Sequence, residues 1–218
     1  MNEAMLRRVE NLPELIDSFL AMQCRYQGGI REVRTKLEIL DDEFSMRYQR
    51  NPIHHMESRI KTPQSIIEKL QRKGLPLSAE SAAQNLGDLA GVRVICGYIN
   101  DIYTIADLLT QQDDITLIRT RDYIKEPKEN GYRSLHLLVQ VPVYLTGGPE
   151  SVVVEVQIRT VAMDFWASLE HHIRYKLPSR LPDGLSDELV ATAGKIAAID
   201  AEMQSIHDKV QALQQEEI

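Results

Sequence analysis

Two carboxylates carry the sharpest chemical suggestion in this sequence. Asp88 follows Gly87 just ahead of an apolar run, and Glu155 lies inside another. Side chains alternate faces along a strand. Val152, Val154, Val156 and Ile158 therefore point one way, and Glu155, Gln157 and Arg159 point the other. A core strand has little use for a carboxylate, an amide and a guanidinium in a row; a nucleotide site does. Alone, Asp88 would pass for a turn or cap residue. Brought beside Glu155 on a neighbouring strand, it would complete a hard oxygen site suited to Mg²⁺, which keeps waters and also takes substrate phosphates.

The cations gather near these acids. Arg59 to Lys73 holds Arg59, Lys61, Lys69, Arg72 and Lys73 against Glu68 alone. Arg119 to Arg133 holds Arg119, Arg121, Lys125, Lys128 and Arg133 against Asp122, Glu126 and Glu129. Such runs are usually solvated faces. Here they stand out from a formal net charge of −7, which points to a bound polyanion small enough for a pocket. The same net charge argues against a general nucleic-acid coat, which needs a basic face. Tyr132 and His136 follow the Asn130-Gly131 loop and suit a base-stacking ring and a phosphate donor. The adjacent pairs His54-His55 and His171-His172 are expected at the surface, since neighbours on a helix point about 100° apart. Walker, GxSxG and GxGxxG patterns are missing from the sequence.

Placing these residues requires a mixed sheet wrapped by helices, an α+β arrangement. Residues 9–22 and 29–49 have the spacing of two amphipathic helices, the second broken by Asn51-Pro52. Thr62-Pro63 has the pattern of an N-cap followed by proline at the first helical position, and Gly74 the pattern of a stop. Between them Ser65, Lys69 and Arg72 fall at i, i+4 and i+7 and share a face. Strands are expected at 92–96, 115–121, 135–143 and 151–158, the last two joined through Thr146-Gly-Gly-Pro149. Helices are expected at 100–112, 160–176 and 186–214. The last carries a stripe of Leu189, Ala193, Ile196, Ile199 (or Asp200), Met203, Ile206 and Val210. The apolar stripes exceed what one sheet face needs, so helix-mediated oligomerisation is expected.

The 218 residues suit one domain, with N-terminal helices over 1–50, a core over 51–180 and a C-terminal helix over 181–218. Apolar runs are too short for a membrane span, and the N-terminus lacks an apolar signal core, so a cytoplasmic chain is expected. Cys24 and Cys96 are expected to be plain thiols.

Six blocks in order give these features a family likeness: Ser58-Arg-Ile-Lys-Thr-Pro-Gln-Ser-Ile66, Leu86-Gly-Asp-Leu-Ala-Gly-Val-Arg-Val-Ile-Cys96, Arg121-Asp-Tyr-Ile124, Asn130-Gly-Tyr-Arg-Ser-Leu-His136, Glu155-Val-Gln-Ile-Arg-Thr160 and Phe165-Trp-Ala-Ser-Leu-Glu-His171. Over about residues 50–215 the chain resembles the RelA/SpoT-type alarmone synthetase domain, and within it the synthetase-only small alarmone synthetases. The resemblance implies a nucleotidyltransferase-like sheet with helical extensions at both ends. It also implies transfer of the β,γ-pyrophosphate of ATP to the 3′-OH of GTP or GDP, giving (p)ppGpp and AMP. Arg59 and Arg93 would then flank adenine; Lys61, Ser65, Lys69 and Arg72 would hold the ATP phosphates. Asp88 and Glu155 would bind Mg²⁺, and Glu155 would take the 3′-OH proton. Tyr132 would stack on guanine, with Arg121, Lys128, Asn130, His136 and Gln157 holding the acceptor. A homotetramer is implied, and at this length the hydrolase and regulatory domains of longer relatives are not expected. Asn51-Pro-Ile-His-His-Met-Glu57 looks closer to the RelP-like than the RelQ-like branch, so strong activation by pppGpp is not expected. The competing readings are a catalytically inactive nucleotide- or RNA-binding regulator, and the same chemistry on tRNA or adenine nucleotides.

Overall fold

The computed structural model describes residues 12–176 and 183–216. The expected helix start at residue 9 and the ends of the core and C-terminal regions at 177–182 and 217–218 lie outside the described residues. The elements are α1 (Leu12–Tyr48), β1 (Ile53–Ile60), α2 (Pro63–Arg72), α3 (Ala79–Asn85), β2 (Ala90–Cys96), α4 (Ile99–Thr110), β3 (Thr116–Asp122), β4 (Leu135–Leu145), β5 (Gly148–Thr160), α5 (Val161–Lys176) and α6 (Asp183–Glu216). The strands form one mixed sheet in the order β1-β2-β5-β4-β3. Only β2 and β5 run parallel; the other neighbours are antiparallel.

The period-2 pattern of β5 sets the two faces of the sheet. Val152, Val154, Val156 and Ile158 are buried beneath α1 and α4, while Glu155 and Gln157 stay half-buried on the opposite side. Leu135, Leu137, Val139 and Val141 repeat the pattern on β4.

Two sequence expectations are corrected here, the first and the last below, and two elements without a sequence expectation are added. The two N-terminal helices are one continuous α1. Gly28-Gly29 looks like a breaker, but a Cβ on Gly28 would come within 2.6 Å of Val143 Cγ1, and one on Gly29 within 2.7 Å of Val152 Cγ1. The glycines let the helix lie against the sheet. Second, Ile53–Ile60 is the edge strand β1, which the alternation hides because His54 and His55 are both exposed around a register shift. Third, α3 is a seven-residue helix capped by Ser78, whose hydroxyl accepts from Ser81 N at 3.0 Å. Fourth, Pro149 belongs to β5 and pairs with Tyr144, leaving a two-residue turn at Thr146-Gly147. Proline is tolerated there because β2 pairs with β5 only from Glu155 onward.

The C-terminal stripe divides in two. Leu189, Ala193 and Ile196 pack with Trp166, Ala167 and Tyr132, and Asp200 accepts from Thr160 Oγ1 at 2.6 Å. Ile199, Met203, Ile206, Val210 and Leu213 face outward, each 46–63% exposed. Both cysteines are free. Among the described residues no helix is long and apolar enough to cross a membrane.

Candidate active site

Sheet register lays the polar face out as two rows. One crosses the strands through Arg59, Gly91, Glu155, Leu138 and Arg119; the next runs through Glu57, Arg93, Gln157, His136 and Arg121. Two cavities meet at Glu155. The smaller, about 60 Å³, is lined by Glu57, Ser58, Arg59, Asp88, Gly91, Val92, Arg93, Glu155 and Gln157. The larger, about 620 Å³, lies beyond Asp88 and Glu155 towards β3 and takes in Lys69, Lys73, Arg119, Arg121 and Leu138. The first row leaves its second position to Gly91, so no side chain rises from the floor beside Arg59.

Helix α2 overhangs this face. Thr62 Oγ1 accepts from Ser65 N at 3.3 Å and donates to Ser65 Oγ at 2.9 Å, which fixes the first turn. Ile66 and Leu70 are buried and anchor the helix, while Ser65 and Lys69 stay half-buried. Lys69 Nζ reaches Asp88 Oδ2 at 2.6 Å, and Lys61 Nζ reaches the same oxygen at 2.5 Å. Arg72 is exposed in the last turn and lines neither cavity.

Both carboxylates are held ionised. Burial alone would raise the pKa of Asp88, but the two lysines outweigh it and bring it down to about 2. At Glu155 burial is likewise outweighed, by His136 and Gln157, and its pKa lies below the ordinary carboxylate value. His136 Nδ1 is 3.3 Å from Glu155 Oε1, and Gln157 Nε2 donates to Glu155 Oε2 at 2.9 Å. Asp88 Oδ1 is buried and accepts no hydrogen bond. A buried anionic oxygen without a donor beside a second carboxylate fits a hard cation. Among the described residues no cluster of three or more metal-ligating side chains occurs. Two carboxylates therefore suit an ion that fills its remaining positions with water and phosphate, as Mg²⁺ does.

The aromatic half of the site sits between β3 and β4. Tyr132 Oη lies 2.9 Å from His136 Nε2, giving a chain Tyr132–His136–Glu155. Tyr123 meets the edges of both rings, and Lys128 Nζ stands 4.6 Å from the centroids of Tyr123 and Tyr132. Burial raises the Tyr132 pKa, so its hydroxyl keeps its proton. Asn130 turns away from the cavities: Nδ2 donates to Glu170 Oε1 at 3.0 Å and Oδ1 accepts from Tyr132 N at 3.3 Å. Gly131 has φ +86°, and a Cβ there would meet Ala193 Cβ at 2.6 Å. The loop is thus pressed against α6.

Glu57 and Glu170 escaped the sequence reading, and Arg159, expected on the polar face of β5, is buried there. Glu57 accepts from Arg93 Nη1 at 2.9 Å. Arg159 is 3% exposed, with Nε 3.4 Å from Asp164 Oδ1 and its guanidinium 5.8 Å from the Tyr132 ring. Burial lowers the Arg159 pKa, although an arginine remains charged. Glu170 accepts from both Asn130 and Arg174. Tyr123, Arg159 and Glu170 lie inside the quoted motif blocks, which was their available signal; the pairings need the fold.

Comparison with known proteins adds a consistent picture. Residues 58–180 match the family profile described as a region found in RelA/SpoT proteins. The GTP pyrophosphokinase YwaC of Bacillus subtilis is 44% identical over 185 residues, 85% of this chain and 88% of the relative. The crystal structure of small alarmone synthetase 2 from Bacillus subtilis superposes with a TM-score of 0.80 at 42% identity, covering 88% of this chain and 99% of that one. Small alarmone synthetase 1 from the same organism, bound to its product pppGpp, gives 0.78 at 35% identity over 85% and 94%.

Proposed function

Because the chain belongs to the RelA/SpoT family, as a GTP pyrophosphokinase making (p)ppGpp, we propose how its own residues carry that reaction. The observation that carries the reading is Glu155: an ionised carboxylate at the junction of two cavities, oriented by His136 and Gln157. ATP lies with adenine between Arg59 and Arg93 over the bare backbone of Gly91. Arginine suits this place because its flat guanidinium stacks on π faces. Lys61, Ser65, Lys69 and Arg72 hold the phosphates. The acceptor stacks its guanine on Tyr132, where the purine takes the place over the ring now held by Lys128 Nζ. Arg121, Lys128, His136 and Gln157 then hold its sugar and phosphates, and Asn130 serves the acceptor by fixing the loop to Glu170.

Glu155 takes the proton of the 3′-OH. The 3′ oxygen attacks the β-phosphorus of ATP in line, the bond from that phosphorus to the α,β-bridging oxygen breaks, and AMP departs with that oxygen. Positioning and charge neutralisation supply most of the catalysis in such transfers. Asp88 and Glu155 would hold Mg²⁺, which when bound neutralises phosphate charge as a Lewis acid.

The setting follows the same proposal. The outward face of α6, with Phe165, Leu169 and Ile173 of α5 also exposed, is covered by further copies of the chain. A homotetramer in the cytoplasm is the arrangement we infer, with no part for nucleic acid or membrane. Identity of 42% to synthetase 2 against 35% to synthetase 1 supports a place nearer the former branch.

The test is incubation of the full chain with Mg²⁺, γ-labelled ATP and GTP, GDP, GMP, ATP or tRNA in turn. The expected outcome is label in (p)ppGpp with one AMP released per transfer. Glu155→Gln should lower the rate on the order of 10²–10⁴-fold. Label on tRNA or adenine nucleotide would overturn the acceptor, and nucleotide binding without transfer would favour a regulator.

A further inference from the structure

Beyond the row of Glu57, Arg93, Gln157 and His136, the next polar-face position of β5 is Arg159. Its side chain is 3% exposed, yet an arginine keeps its charge. Burying a cation is costly, and a well-packed apolar side chain often serves stability as well or better. The chain sets an acid beside it. Thr160 Oγ1 accepts from Met163 N at 3.1 Å and caps α5, which fixes Asp164 in the first turn, where a helix favours negative charge. Asp164 Oδ1 stands 3.4 Å from Arg159 Nε and 3.9 Å from Arg93 Nη1. Arg93 borders the 60 Å³ cavity, whereas the Arg159 guanidinium stands over the Tyr132 ring, 5.8 Å from its centroid. One carboxylate thus faces two arginines that serve different nucleotides. Arg93 Nε, Arg159 Nε and Asp164 Oδ1 are buried and make no hydrogen bond among the described residues. Buried polar atoms are ordinarily paired. Here charge, and not a fixed hydrogen-bond geometry, holds the two guanidinium planes, which leaves them able to align with the flat groups they face.

Resting on the reaction proposed above, we infer that Asp164 is a positioning residue shared by both nucleotide sites, holding Arg159 against the Tyr132 ring and Arg93 at the 60 Å³ cavity. The two arginines repel each other, and Asp164 is the acid between them. Glu57 balances Arg93 from its more exposed side, so Arg159 depends on Asp164 more than Arg93 does. A guanidinium over an aromatic ring is attracted to its electron-rich face. Arg159 therefore fixes the plane of Tyr132 on which the acceptor's base stacks, and it reaches only that half of the site. Asp164 touches neither nucleotide and acts on both through the two arginines. It marks the seam where the donor and acceptor halves share one charge.

The test titrates the full chain with two probes, α,β-methylene ATP and GDP, by calorimetry with Mg²⁺, so that binding is read apart from turnover. Asp164→Asn should weaken both probes about fivefold or more, since each arginine loses its shared acid. Arg159→Met removes the buried cation and leaves Asp164 to Arg93, so GDP should weaken by a similar factor while α,β-methylene ATP stays within about twofold of wild type. Arg159→Lys keeps the charge and loses the flat guanidinium; it should show the same one-sided loss, and it serves if the methionine variant does not fold. In the double variant of Asp164→Asn with Arg159→Met, the loss for GDP should be no greater than in the weaker-binding single variant, because both changes act on one ring. Loss of one probe only, or of neither, in Asp164→Asn would overturn the shared role. Equal loss of both probes in the Arg159 variants would make the pair a general prop of the sheet, and additive losses for GDP would separate Asp164 from Tyr132; each result overturns the proposal. A wild-type chain that binds both nucleotides and makes no (p)ppGpp, with these shifts intact, would sink the reaction and leave Asp164 in its role.

Discussion

Arg59, Lys61 and Lys69 stand on or beside a sheet strand and a capped helix, while Lys128, Asn130 and Tyr132 stand on residues 123–134, which have no regular element of their own. The first group is placed by backbone register. Arg59 opposite Gly91, and Gly91 opposite Glu155, follow from strand pairing. The second group is placed by side chains: Asn130 on Glu170, Arg133 Nη1 on Ile124 O at 2.7 Å, Tyr132 on His136, and Gly131 against Ala193 of α6. The donor half is therefore rigid in the way a sheet is rigid. The acceptor half adds to the strand residues Arg121, His136 and Gln157 a loop held by α5 and α6, which links acceptor binding to the helix whose outer face we assign to other copies.

That contrast can be broken at graded strength. The largest effect in the donor half should come from Asp88→Asn, which removes a charge from the carboxylate pair and the shared partner of Lys61 and Lys69. Loss of several kcal/mol of transition-state stabilisation predicts a fall in kcat/KM on the order of 10²–10³-fold, read from initial rates at saturating Mg²⁺. A fall of less than about tenfold would show that the pair is not where charge is neutralised. In the acceptor half, Tyr132→Ala should raise the KM for GDP by about 10–100-fold, the worth of one base on one aromatic ring. Tyr132→Phe keeps the ring and loses only the contact to His136, so a change within about fivefold is expected. An equal loss in both would transfer the importance from the ring to the hydroxyl. The smallest effect belongs to Glu57→Gln. Glu57 is 57% exposed in its side chain and pairs with Arg93, and exposed pairs are worth about 0.2–1 kcal/mol, so the KM for ATP should move by no more than about fivefold.

The same contrast explains what the sequence made legible. Thr62-Pro63 at one end, Gly74 at the other and Ser65, Lys69 and Arg72 at i, i+4 and i+7 describe α2, because capping and helical spacing are local. The polar face of β5 was equally open to reading, since a central strand must alternate. Edge strand β1 was not, because one side of it has no neighbour and its exposed histidines erase the alternation. Gly28-Gly29 misled because a glycine pair gives the same sequence signal whether it ends a helix or lets one approach a sheet. The pairings of Glu57, Asp164 and Glu170 needed tertiary contacts across many residues; only Glu170 lies inside a quoted motif block, and nothing in the local sequence distinguishes Glu57 and Asp164 from solvated acids. The resemblance implies an acceptor role for Asn130, and only the fold reveals that its side chain bonds Glu170.

The most direct test of the two-half account is the pair of apparent KM values, for ATP and for GDP, in Arg59→Ala and Tyr132→Ala measured side by side. The account predicts a crossed result: Arg59→Ala raises the KM for ATP and leaves that for GDP near wild type, and Tyr132→Ala does the reverse. Both variants raising the KM for the same nucleotide, or each raising both KM values equally, would contradict the separation of donor and acceptor on this sheet.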